Sequence, residues 1–148
     1  MRTLFLLLCA CPGALAACPS NEVPVFTCLT DANKEIRVCQ GAKEITYRYG
    51  SLRKAPELTL SEANGALEWE HGEAPSAGIL DYLTFRNGST RYLIEHQSAY
   101  EDPNDASAHL TIVHGETRRM IECVSQLHFN PKAIKAQPKA LIEALPQL

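Results

Sequence analysis

Residues 79–86 (ILDYLTFR) and 90–96 (TRYLIEH) are two apolar and aromatic runs separated only by Asn87, Gly88 and Ser89. An Asn-Gly step favours the positive backbone angles of a tight turn, so the two runs are expected to fold back on each other as an antiparallel hairpin. Tyr82, Thr84 and Arg86 alternate with Leu83 and Phe85, and Tyr92 and Ile94 alternate with Arg91, Leu93 and Glu95, so both faces are partly apolar. The same two-residue period recurs at 44–49, where Ile45, Tyr47 and Tyr49 are expected inward and Glu44, Thr46 and Arg48 outward before Gly50 breaks the run. A second hairpin is expected from 108–113 and 118–125 around Gly115. Shorter strands fit 25–29, 35–40, the alternation at Leu58 and Leu60 after Pro56, and 67–70 after the Asn64-Gly65 turn. Trp69, the only tryptophan, reads as a core or rim anchor.

Past Phe129 the period changes. Asn130 is placed to cap a helix starting at Pro131, Pro138 interrupts it, and 139–145 reads as a second helical piece, with Ala133, Ile134, Leu141, Ile142 and Leu145 on its apolar side. The expected fold is mainly β, a small antiparallel barrel or sandwich of about eight strands with a short C-terminal helical segment. The helical segment would lie on an open end or face of the β-domain.

The first residues read as an export leader. Arg2 precedes the apolar run 4–10, Pro12 and Gly13 bend the chain, and small residues follow. The apolar stretch is far shorter than the roughly 20 residues that span a bilayer. Leu15-Ala16-Ala17-Cys18 has the form of a bacterial lipobox, in which Cys18 is lipidated through its thiol and becomes the first residue of a membrane-tethered protein. Ala14 and Ala16 also satisfy the small-x-small pattern of ordinary leader cleavage, which would leave Cys18 unmodified and the protein soluble. The chain then divides into a leader (1–17), a tether with two prolines (18–24), the β-domain (25–129) and the tail (130–148).

Of six cysteines, Cys9 and Cys11 fall in the leader, leaving Cys18, Cys28, Cys39 and Cys123. With Cys18 acylated, Cys28, Cys39 and Cys123 can form only one disulfide within the chain; without acylation two are possible. Cys28 and Cys39 flank the polar turn at 31–34, and the length of its loop decides whether they face each other. Joining either to Cys123 would link the two ends of the domain, worth about 4–5 kcal/mol by loop entropy. No zinc spacing accompanies them, so no metal site is assigned.

The chain has 14 Lys plus Arg, of which Arg2 lies in the leader, against 17 Asp plus Glu. With no basic run to follow a phosphate backbone, nucleic acid is not expected as a partner. Arg53-Lys54 and Arg118-Arg119 read as isolated solvated pairs.

No catalytic constellation stands out, and no cofactor is expected. His71, His96, His109, His114 and His128 are scattered; His109 and His114, five apart, should point to opposite faces of one strand. No Gly-x-Ser-x-Gly elbow occurs, and Cys123 with His128 is a weak thiol-imidazole pair. Glu68, Glu70 and Glu73, and separately Glu101, Asp102 and Asp105, read as solvated acids; Asp102, Asn104 and Asp105 lack a complete calcium-loop pattern.

The ordered series 26–30 (FTCLT), 36–39 (IRVC), 45–50 (ITYRYG), 56–58 (PEL), 85–92 (FRNGSTRY) and 121–123 (IEC) resembles a family of small exported bacterial β-domain proteins without an established activity. The resemblance implies architecture and no catalytic residues. The chain is more loosely similar to membrane-bound lysozyme inhibitors, small lipobox-bearing β-barrels with a disulfide that block the enzyme's cleft, and this implies a basic protein partner attracted by acidic surface. The expectation is a noncatalytic envelope lipoprotein that binds a ligand or plays a structural part, held to the membrane by lipid on Cys18 and facing the periplasm or cell surface. A lysozyme-type inhibitor, a small envelope hydrolase and a soluble periplasmic or secreted form are the alternatives.

Overall fold

The computed structural model describes residues 17–141. The leader expectation, apart from Ala17, and the end of the tail beyond Leu141 lie outside those residues. The ten strands are β1 (Val23–Thr30), β2 (Lys34–Gln40), β3 (Glu44–Ser51), β4 (Leu58–Ala63), β5 (Glu68–Ala74), β6 (Gly78–Asn87), β7 (Thr90–Ser98), β8 (Ala106–His114), β9 (Thr117–Phe129) and β10 (Lys139–Ala140). They form one sheet in the order β10-β5-β6-β7-β8-β9-β1-β2-β3-β4, curled into a half-barrel. All neighbours are antiparallel except β10, which lies parallel to β5.

Turn chemistry sets the register. In the central hairpin Asn87 pairs with Thr90, so the loop is Gly88-Ser89 and only Gly88, at φ 59°, takes the left-handed angle. A glycine at the first of two loop residues fits a type II′ turn. The β8–β9 hairpin turns at Gly115, at φ 58°, with His114 opposite Thr117. Between β1 and β2 the loop length sets the cysteine register. Cys28 pairs with Ile36, leaving a three-residue loop in which Asn33 adopts φ 56°, so Cys28 and Cys39 are not opposite each other.

Alternation then directs one face of the sheet inward. Val25, Phe26, Ile36, Val38, Ile45, Tyr47, Leu83, Phe85, Ile94 and Leu110 are all at most 1% exposed. Burying each large apolar side chain is worth roughly 1.5–3 kcal/mol, so this face supplies the driving force for curling the sheet. Tyr47 sits at its centre, with ring centroids 5.5 Å from Phe85 and 5.8 Å from Tyr92. Thr46, expected outward, is nevertheless buried; its hydroxyl is 3.0 Å from that of Ser61 on β4.

β9 holds the two halves of the sheet together. Its first part pairs with β8 from Thr117 to Glu122, and its second part pairs with β1 from Cys123 to Phe129, with two register shifts along the β1 side. The Cys28–Cys123 disulfide crosses this seam, and Cys18–Cys39 fastens the entering chain to β2. Residues 18–24, expected as a tether, are thus fastened to the sheet at points while staying mostly exposed: Glu22 also grips the Arg48 guanidinium at 3.0 and 3.3 Å, and Val23 and Pro24 belong to β1.

The helical tail is corrected. Within residues 130–141 there is a single 3-10 turn at Pro131–Ala133, no side-chain cap from Asn130, and the two-residue strand β10. Ile134 and Ala136 are buried while Lys135 between them is exposed, a two-residue period that suits an extended strap rather than a helix. Gln40 fixes the strap: its Oε1 accepts from the Lys135 amide at 3.2 Å, while its Nε2 donates to Asn64 Oδ1 at 2.6 Å. β10 accounts for the tenth strand beyond the nine segments expected from alternation.

Candidate functional site

The inward face carries one polar row. His71 on β5 lies opposite Asp81 on β6, and Asp81 lies opposite His96 on β7. Because side chains two residues apart share a face, Trp69 stands beside His71 and joins the row. Asp81 is 3% exposed, and its Oδ1 accepts from Trp69 Nε1 at 2.9 Å and from His71 Nδ1 at 2.8 Å. A buried carboxylate is costly unless hydrogen-bonded, and these two contacts offset that cost while fixing the indole and imidazole rings.

The strap completes the site. It leaves β9, sinks Ile134 and Ala136 into the core beside Gln40 and joins the edge of β5, where the Leu141 amide donates to the His71 carbonyl at 2.9 Å. A Cβ on Gly72 would sit 2.7 Å from the Leu141 Cβ, so glycine is needed there for the strap to close in. Between strap and sheet is an open groove of about 290 Å³ lined by Trp69, His71, Pro131, Lys132 and Pro138. The hydrogen bond from His71 Nδ1 to Asp81 leaves Nε2 as the ring nitrogen turned away from Asp81. Chemically the groove therefore offers apolar walls, one oriented imidazole and one ammonium.

His96 is the inner end of the row. Its ring centroid is 4.5 Å from that of Phe129, and its buried Nδ1 has no hydrogen-bond partner among the described residues. Burial pushes its pKa below the ordinary 6.5, and the nearby Asp81 charge only partly opposes this. The sign follows directly: above pH 6.5 both folded and unfolded chains hold a neutral His96, and as pH falls below it the unfolded chain takes up a proton that the folded one refuses. Stability is therefore expected to fall as pH drops below 6.5, by at most about 1.4 kcal/mol per pH unit from this group. Thermal melts at pH 7 and pH 5 check this: the loss should be smaller in His96→Phe, and an equal loss in both proteins contradicts it.

The other residues singled out from sequence are dispersed. His109 and His114 do point to opposite faces; His109 meets Glu95, which also accepts from Thr111 Oγ1 at 2.9 Å, and His114 lies 2.8 Å from Thr90 Oγ1. Cys123 is bonded to Cys28, so a Cys123–His128 pair has no thiol. Glu68 binds Arg86 at 2.8 and 2.9 Å. Asp102 accepts from the amide and side chain of Asn104, a local turn in an exposed loop. Among the described residues no group of three His, Cys, Asp or Glu could hold a metal ion. Cys18, the expected lipidation site, has its sulfur bonded to Cys39, and one sulfur cannot carry both that bond and a thioether. Comparison with protein-family models, curated proteins and solved structures finds no match.

The Trp69–Asp81–His71 group was missed because Asp81 lies ten and twelve residues from the other two, on a different strand. One signal was available: Asp81 falls on the same alternating face as Leu83 and Phe85, where an acid needs partners.

Proposed function

We propose that this chain is an exported, disulfide-stapled β-domain of the cell envelope that acts by binding, and that its ligand enters the groove beneath the C-terminal strap. Asp81 carries the reading. β5 and β6 are already joined along their full ladder from Glu68 to Ala74, so a buried acid adds little that pairing lacks, whereas it does orient Trp69 and His71 at the groove. Ligand sites are mostly apolar with a few placed polar groups, and this groove suits a small apolar body bearing one polar head. Export is supported by the disulfides, which use all four cysteines beyond the leader. The Cys18–Cys39 bond favours the soluble form over the lipid-anchored one.

Two measurements test the two halves of this proposal. Trp69 is the only tryptophan, so its emission reports on the groove directly. Titration of the purified domain with alkylphenols should change that emission saturably, and His71→Ala should weaken the effect; unchanged emission across the series contradicts a groove ligand. The intact mass of protein recovered from the envelope should be four hydrogens below the reduced chain beginning at Ala17 or Cys18. A diacylglyceryl adduct on Cys18 would instead establish the anchored form.

A further inference from the structure

We propose that the outer face of the sheet carries a second site, specific for a phosphomonoester-type oxyanion, formed by Arg37, Arg48, Arg53 and Lys54. In a chain of formal charge −3, these four cations line one small concavity with Glu35 as the only acid in its wall. Arg37 on β2 and Arg48 on β3 are directly opposite each other, an arrangement of like charges that disfavours the sheet unless anions offset it. Arg48 is offset by Glu22. Arg37 is offset in part: its Nη1 reaches Glu35 at 3.2 Å and the Ala17 carbonyl at 3.1 Å. Its Nε is buried and has no hydrogen-bond partner among the described residues, although the side chain is only 11% exposed. A cationic N–H removed from water without an acceptor costs more than a neutral one, and an incoming anion oxygen would relieve it.

The loop after β3 brings the remaining charges to the rim. Arg53 adopts φ 60°, a left-handed angle that side chains other than glycine seldom take, and Lys54 closes the turn through its amide to the Ser51 carbonyl at 3.3 Å. Size decides the ligand class. The concavity is half-open and has room at its floor for roughly one water-sized group, about 20 Å³, which matches one oxygen of a tetrahedral anion. That oxygen reaches Arg37 Nε once the guanidinium turns to uncover its buried N–H, and the outer oxygens lie toward the Arg53 and Lys54 side chains at the rim. The site is on the opposite face of the sheet from the groove and does not depend on it. Its phosphate could belong to a soluble ester or to a lipid headgroup.

The test follows the arginine Nε–H resonances by NMR while inorganic phosphate is added at constant ionic strength, with sedimentation on phosphatidic acid vesicles as a second arm. One Nε–H signal should shift saturably and be absent in Arg37→Lys, which keeps the charge and removes the donor. Lys54→Glu, at an exposed position that leaves folding intact, should weaken binding about tenfold or more, the worth of one charge-assisted contact. Response to phosphate without vesicle binding assigns a soluble ligand; vesicle binding alone, lost in Lys54→Glu, assigns a headgroup. No response in either arm, or binding indifferent to both substitutions, overturns the site.

Discussion

The double substitution Cys28→Ala, Cys123→Ala is expected to lower the unfolding free energy by about 4–5 kcal/mol, the loop-entropy worth of a cross-link between residues 95 apart. Its position makes the loss matter. The seam between β1 and β9 is broken by two register shifts, so hydrogen bonding there is interrupted where the disulfide crosses it. Single domains hold only about 5–15 kcal/mol in total, and the variant is left with a small remainder. Removing Cys18 and Cys39 opens a loop of separation 21 and should cost less, about 3 kcal/mol. Urea unfolding measures both; the reverse order of midpoints would contradict the argument.

Asp81→Ala is expected to cost about 2–4 kcal/mol, because it strands the buried Trp69 N–H and leaves a small cavity inside the half-barrel. His71 adds less to the loss, since its half-exposed ring can turn to water. Asp81→Asn keeps the volume and one acceptor oxygen, so its cost should be roughly half as large. The same pair of variants should separate stability from binding: Asp81→Asn folds, yet its uncharged amide oxygen is a weaker acceptor for the two ring N–H groups that both donate to Oδ1, so the alkylphenol response of Trp69 should weaken. Chemical denaturation and Trp69 titration of each variant check the two statements, and an Asp81→Asn protein with unchanged Trp69 response would show that the carboxylate is structural only.

Strand positions were legible because each rests on local pattern. The runs around Tyr47, Leu83 and Ile94 alternate at a period of two, and Gly88 and Gly115 mark turns that need positive φ. Loop length was less legible: whether 31–34 holds two, three or four loop residues depends on Asn33 taking a left-handed angle, a choice made by the flanking strands. The tail misled because Asn130 and Pro131 are good helix-start residues, whereas burial of Ile134 and Ala136 against a distant core outweighs that preference. Sites were least legible of all. His71 joins Asp81, and Arg37 joins Arg48 and Lys54, only through strand register and loop closure.

The two disulfides interleave, Cys18 with Cys39 and Cys28 with Cys123. Were the chain exported as proposed, threading from its N-terminus would present Cys18, Cys28 and Cys39 to an oxidant long before Cys123 appears. Oxidation in order of emergence would join Cys18 to Cys28 and leave Cys39 waiting for Cys123. Reaching the native map from there requires a thiolate to attack and reshuffle an existing bond, the work of a disulfide isomerase rather than of an oxidase alone.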